Sequence, residues 1–219
     1  MSSGPFLRAP NLDGLGIDHG FGMRGSFEAA PARLARAQQI HGVRVLEVQA
    51  EGERDEADAV FSTAPGLAVG VITADCVPVL LAARRPRPIV AAVHAGWRGS
   101  ALEISKTVVE HLQEAEGVRP GDWVAAIGPH IGPCCYEVDE PVRRAIRDDS
   151  VFAGAERRDH WMLDLGALNQ AQLVRSGVLQ QEIARVGGCT FCQPESFESY
   201  RRDRGSGRML HYLRVPDPA

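Results

Sequence analysis

The sequence predicts an α/β protein, on three observations. The runs LAVGVITA (67–74), VPVLLAA (77–83) and PIVAAVHA (88–95) are rich in β-branched residues and too short and punctuated to be helices. They are almost continuously apolar, as strands are when a sheet is covered on both faces. Amphipathic segments downstream supply the covering layer.

Taken in order, a strand-like stretch in VRVLEV follows QQIHG near the start. The Pro/Arg cluster ARRPRPIV (83–90) reads as a loop between two buried strands, not a domain linker. After HAGWRG comes a helix from about Ala101 to Glu116, with Ala101, Ile104, Val108 and Leu112 at helical spacing. Ser100 and Glu103 have the spacing of a capping box at its start, and Gly117 stops it where a left-handed residue is needed. WVAAIGP (123–129) is a further strand. A second helix runs from about Leu165 to Arg175, with Asp164 as N-cap and Gly177 beyond its end. No repeat or low-complexity block divides the chain, so a single domain over 1–219 is expected.

At 219 residues and 44% apolar, the chain can bury one sizeable core. A net charge of -4 gives no bulk signal for nucleic acid or an acidic membrane surface. There is no leader-like start and no uncharged apolar run of roughly 18 residues, so a soluble, cytoplasmic protein is expected. Five cysteines, an odd number, fit a reducing compartment better than a disulfide framework.

Chemistry gathers where the apolar runs break. Ala74-Asp75-Cys76 closes the first run, His94 ends the third, and His41 adjoins the strand-like stretch, so two imidazoles and one thiol stand where buried segments emerge. Two His and one Cys are a ligand set for zinc, and three protein ligands with an open fourth position mark a catalytic ion. Such an ion lowers the pKa of bound water to about 7. Read singly, the same residues are satisfied polar groups and a small core thiol.

The blocks QQIHG, TADCVPVLL, HAGWRGS, IGPHIGPCCYEV, CTFC and SYRRDRGSGRM, in this order, resemble the family described as multi-copper polyphenol oxidoreductase (laccase) domains, also called YfiH-like. Relatives in that family are described as purine nucleoside phosphorylases with adenosine deaminase activity, and others as peptidoglycan editing factors. The resemblance implies a layered sandwich of mixed β-sheet with flanking helices, of α/β or α+β class. It places metal ligands at His41, Cys76 and His94. It also implies a zinc-dependent enzyme of purine nucleosides that uses phosphate, with copper as the alternative ion. Where the family often shows two consecutive Phe, this chain has Phe197 and then Glu198, a carboxylate for either the pocket or the surface.

Several other residues are candidates for chemistry. HAGWRGS, a strand-to-helix turn, resembles an anion site in which Arg98 would hold phosphate. Ser199 to Asp203, read as a strand, can send only one of Arg201 and Arg202 into a shared pocket; Arg201 is preferred for phosphate and catalysis, against a surface pair with Asp203. Asp75 is expected to orient a ligand histidine or move a proton, and Gln39 to share a face with His41 and polarise substrate. His130 reads as a pocket-wall residue. Cys189-Thr190-Phe191-Cys192 is redox-active, half of a zinc site completed by Cys134, Cys135 or His130, or a pair of packing thiols.

A laccase with a multicopper centre is disfavoured, because the chain has seven His and no His-x-His pair. A third reading makes Cys76 a nucleophile activated by His94, as in an amidase acting on a peptidoglycan precursor. A zinc-stabilised binding module is a fourth.

Overall fold

The structure is a computed structural model that describes residues 4–83, 87–205 and 207–217. Its elements begin with β1 (Phe6–Leu7), α1 (Pro10–Asp13), β2 (His19–Gly22), β3 (Leu34–Gln38), β4 (Val45–Glu47), β5 (Gly52–Glu56), β6 (Ala59–Ser62), β7 (Ala68–Thr73), β8 (Val77–Ala83) and β9 (Ile89–Ala95). They continue with α2 (Trp97–Ala101), α3 (Ile104–Glu116), β10 (Trp123–Ile127), β11 (Glu137–Val138), α4 (Glu140–Ala145), β12 (Phe152–Gly154) and β13 (Trp161–Leu163). The last are α5 (Leu165–Arg175), β14 (Ile183–Arg185), α6 (Tyr200–Asp203) and β15 (Met209–Arg214).

Two mixed sheets of six strands, ordered β1-β2-β15-β7-β3-β5 and β14-β10-β8-β9-β6-β4, stack on one another, and a small β11-β13-β12 sheet joins the core through Val138 and Leu163. The period of two along β8 and β9 shows why both runs are apolar throughout. Val77, Val79, Leu81, Ala91 and Val93 face α3 and α5 through Ile104, Val108, Leu112, Leu168 and Leu173. Leu80, Ala82, Val90 and Ala92 face the first sheet through Val69, Val71 and Leu213. The second sheet is therefore covered on both faces, as its composition predicts, and the architecture is the layered α/β sandwich. Burying each aliphatic side chain of α3 is worth about 1.5–3 kcal/mol.

The three apolar runs do not share a sheet: β7 belongs to the first and β8 to the second. The chain crosses between them at 74–76, and Asp75 makes the turn with a left-handed φ of 91°.

The helix expected from 101 is broken. Glu103, with φ 63°, separates α2 from α3, and neither helix has a side-chain cap. Ser100 lies inside α2, where its hydroxyl accepts from Asn169 and its carbonyl from Gln172, so tertiary bonds take the place of the capping box. Gly117, φ 68°, ends α3, and Asp164 caps α5 by accepting from the Ala167 N–H at 2.7 Å. Arg201 and Arg202 sit on α6, not on a strand, because the Ser199 hydroxyl caps that turn from the Arg202 N–H. Of the expected loop at 83–90, residues 84–86 lie outside the described residues. Among the described residues no helix is long and apolar enough to cross a membrane.

Candidate metal centre and active site

On β9, His94 continues the even-numbered series whose members face the first sheet, so its ring emerges at the end of the layer between the sheets. Cys76 arrives at the same edge from the crossover, and His41 from the turn after β3, where its own φ of 62° swings it out of the strand direction. The nitrogen and sulfur atoms of His41, Cys76 and His94 all lie within 4.8 Å of one another. The two imidazoles meet edge to face, with ring centres 4.8 Å apart. His94 is buried, Cys76 half-buried and His41 exposed, so the cluster opens to solvent on one side. Gly96 completes the cradle: a Cβ there would stand 2.9 Å from the His41 ring and 3.2 Å from the Cys76 sulfur. Two imidazoles and one thiolate, open on one side, suit a zinc ion.

Behind the cluster lies Asp58, fully buried and unmarked by sequence reasoning. Its Oδ1 is 2.7 Å from His94 Nδ1, and its oxygens also accept the backbone N–H groups of Ile40, His41 and Gly42 at 3.2, 2.9 and 2.6 Å. One carboxylate thus orients His94 and pins the turn that carries His41. Burial opposes its ionisation, but the hydrogen bonds from His94 and Gly42 hold its pKa below the usual carboxylate range.

Burial would raise the Cys76 thiol, yet the charge of His94 and a hydrogen bond from His41 bring it down to about 6. Burial would lower His94, yet the Cys76 thiolate and Asp58 raise it to about 9. Each of the two thus favours the charged form of the other.

A cavity of about 540 Å³ opens over the cluster, lined by His41, Cys76, His94, Gln39, Tyr200 and Arg208 among others. A smaller one of about 190 Å³ shares Cys76 and Tyr200 and adds Asp75, Tyr136, Arg201 and Arg204. Gln39 reaches the first cavity, but its amide is bonded at both ends to the Ile72 backbone, at 2.8 Å each. Asp75 points away from the histidines: its oxygens accept from the Thr190 hydroxyl and the Arg201 N–H, each at 2.6 Å. Arg201 donates to the Glu137 carbonyl at 2.8 Å and lies over the Tyr136 ring. Arg98 stacks on Trp97 and lines neither cavity, though its charge is felt at the Tyr136 phenol.

His130 is elsewhere: it lines a separate cavity with Cys134, Cys189 and Arg185. Glu198 is engaged by Arg24 at 2.8 Å. Tyr200, 48% exposed with the guanidinium groups of Arg204 and Arg208 at 5.6 and 5.8 Å from its ring centre, was missed by sequence reasoning. An aromatic residue beside a basic cluster was the signal available.

Over residues 22–215 the chain matches the family model described as multi-copper polyphenol oxidoreductase laccase. It is 36% identical over 187 residues to purine nucleoside phosphorylase YfiH of Shigella flexneri, an alignment covering 84% of this chain and 74% of that protein. It is 36% identical over 197 residues to purine nucleoside phosphorylase YlmD of Geobacillus stearothermophilus, covering 83% and 72% respectively. The crystal structure of YlmD from Geobacillus stearothermophilus superposes with a TM-score of 0.89 at 27% identity, covering 99% of this chain and 98% of that one.

Proposed function

The chain belongs to the multi-copper polyphenol oxidoreductase laccase family, the YfiH-like proteins, and from that premise we propose that it is a zinc-dependent purine nucleoside enzyme. Its reactions are phosphorolysis of adenosine or inosine and deamination of adenosine. The observation that carries the reading is the convergence of His41, Cys76 and His94 on the floor of a cavity large enough for a nucleoside, in a chain similar to relatives named purine nucleoside phosphorylase. Zinc held by these three residues would supply a Lewis acid and an activated water at neutral pH.

The chain's own residues do the rest. Asp58 fixes the His94 ring through Nδ1 and turns its other nitrogen toward the Cys76 sulfur, where the ion would be held. Tyr200 offers an aromatic face on which a purine can stack. Arg201, with Arg98 farther out, supplies charge for phosphate, which displaces the base at the ribose C1′. Tyr136, whose pKa is raised by burial and then by the Cys76 charge, stays protonated and can donate to the leaving base. Asp75 and Gln39 serve as positioning residues, since their polar atoms are spent on Thr190, Arg201 and Ile72.

Copper in a multi-centre oxidase is the weaker reading. Among the described residues two groupings of metal-ligating side chains come together, and between them they hold two histidines. A second reading does have a specific observation in its favour: Cys76, His94 and Asp58 stand in the order of a nucleophile, its base and the carboxylate that orients the base. Turnover separates the two. The purified protein should convert adenosine to inosine, or release purine base when phosphate is present, and a chelator should stop both. A cysteine amidase would tolerate the chelator, lose activity on thiol alkylation and leave a trapped acyl-enzyme. A zinc-loaded protein with no nucleoside turnover would overturn the nucleoside reading.

A further inference from the structure

Four thiols that the site above does not use come together where residues 128–136 meet residues 188–192. We propose that Cys134, Cys135, Cys189 and Cys192 are the ligands of a second metal site, a closed tetrathiolate that binds zinc and ties these two segments together. This does not rest on the nucleoside reading.

The four sulfur atoms lie within 4.8 Å of one another, with Cys135 and Cys134 at 3.3 and 3.7 Å from Cys192. Four thiolates on a tetrahedral zinc ion, each about 2.3 Å from it, stand about 3.8 Å apart. The arrangement is nearly that shape before an ion draws it in. Side chains of adjacent residues ordinarily diverge, yet Cys134 and Cys135 both approach Cys192. The turn does this, because the N–H groups of Cys135 and Tyr136 both bond the Gly132 carbonyl at 3.0 Å. Gly132 permits the close approach, since a Cβ there would meet the Cys189 Cβ at 3.3 Å and the Cys134 sulfur at 3.4 Å.

The Gly132 N–H donates to the Cys189 sulfur at 3.2 Å, and the Cys192 backbone N–H is bonded to the same sulfur. Such N–H···S bonds orient a ligand thiolate and offset charge that one divalent ion cannot neutralise alone. Packing thiols are buried among apolar groups, whereas Cys134 and Cys192 are exposed. Four protein ligands leave no open position, so the ion is structural. Each cysteine gives up its thiol proton to solvent as the ion binds.

The site lies behind the catalytic wall. Thr190, between the two cysteines of the C-x-x-C, donates its N–H to the His130 carbonyl and its hydroxyl to Asp75. Tyr136 follows directly on Cys135 and lines the smaller cavity. An ion here holds both segments in register with the first centre.

The test is metal content and cobalt substitution on the full chain purified under reductant without added metal. Expected are about two zinc equivalents in the wild type and about one in Cys76→Ser. The cobalt form of that variant should keep the intense sulfur-to-cobalt charge-transfer bands of a tetrathiolate. The double variant Cys189→Ser/Cys192→Ser should lose those bands, keep the other equivalent and melt at lower temperature. Should that variant fail to fold, the wild-type readouts decide alone. One equivalent in the wild type with the absorption of a single thiolate ligand would overturn the proposal, as would a disulfide between Cys135 or Cys134 and Cys192 in the reductant-purified protein. So would unhindered reaction of all four thiols with a disulfide reagent in the native state.

Discussion

Asp58 and His94 form a buried carboxylate–imidazole pair, 2.7 Å apart, and the same carboxylate receives three backbone N–H groups from the turn bearing His41. The contact follows from strand pairing. β6 and β9 are antiparallel with Ala59 opposite Val93, and the His94 N–H bonds the Asp58 carbonyl at 2.7 Å, so the two residues are neighbours across the sheet end. Two of the three cluster residues are therefore positioned through one side chain.

Replacing Asp58 should loosen the proposed zinc centre without touching His41, Cys76 or His94. Asp58→Asn keeps the size but removes the charge that sets the His94 tautomer and anchors three amides. Zinc affinity, measured by competition with a chromophoric chelator, should fall about 10–100-fold. An unchanged affinity would remove Asp58 from any account of the centre.

Gly96→Ala tests the cradle. The Gly96 backbone, φ -73°, is one that alanine adopts freely, so the effect must come from the methyl group, which would crowd the His41 ring and the Cys76 sulfur. Metal content and turnover should drop sharply while the fold persists by circular dichroism. Gly121→Ala, where a Cβ meets nothing within 4 Å, is the control and should match the wild type. Full metal occupancy in Gly96→Ala would mean that the ligands lie farther from this glycine.

Much of the fold was legible because burial on both faces leaves an unbroken apolar signature, as in β8 and β9. Asp164 and Gly117 were legible for another reason: a cap and a left-handed stop are set by the residues themselves. The break at Glu103 was not, since helical spacing runs unbroken across it and the competing bonds come from Asn169 and Gln172, far along the chain. Asp58 was hidden within ERDEAD, where nothing local separates a buried acid from its solvated neighbours. His41, Cys76 and His94 had residue types that fit zinc, but their meeting is a product of topology, and resemblance supplied it before geometry did. The same holds for Cys134 and Cys192, which come together across 58 positions.

Arg201→Ala should impair phosphorolysis more than deamination. Loss of a charge-assisted partner at phosphate costs about 1.5–3 kcal/mol, and deamination has no phosphate to hold. The Arg201 N–H that Asp75 accepts belongs to the backbone and survives the substitution, so the local turn should persist. The comparison needs kcat/KM for both reactions on the same preparation. Equal losses in the two would take phosphate away from Arg201 and shift attention to Arg98, Arg204 and Arg208.

The acid side of stability should be governed in part by His211. This residue is fully buried on β15; its Nδ1 accepts the Gly22 N–H at 3.1 Å, so its proton sits on Nε2, which donates to the Thr73 hydroxyl at 2.8 Å. A second proton would face a backbone N–H, and burial, reinforced by the charge of His94, brings the pKa down to about 3. The ordinary value of about 6.5 applies in the unfolded chain, so the unfolded state takes up the proton first as pH falls. Stability is then complete above about pH 6.5 and is lost progressively down to about pH 3, by about 2 kcal/mol between pH 8 and pH 5. Urea unfolding at those two pH values should show His211→Asn less stable than the wild type at pH 8 but less sensitive to acid by about that amount. His19 and His130, whose pKa values are also lowered by burial, contribute equally to both proteins and cancel in the difference. Identical acid sensitivity in the two would show that His211 is already protonated in the folded protein, against the hydrogen-bond pattern that surrounds it.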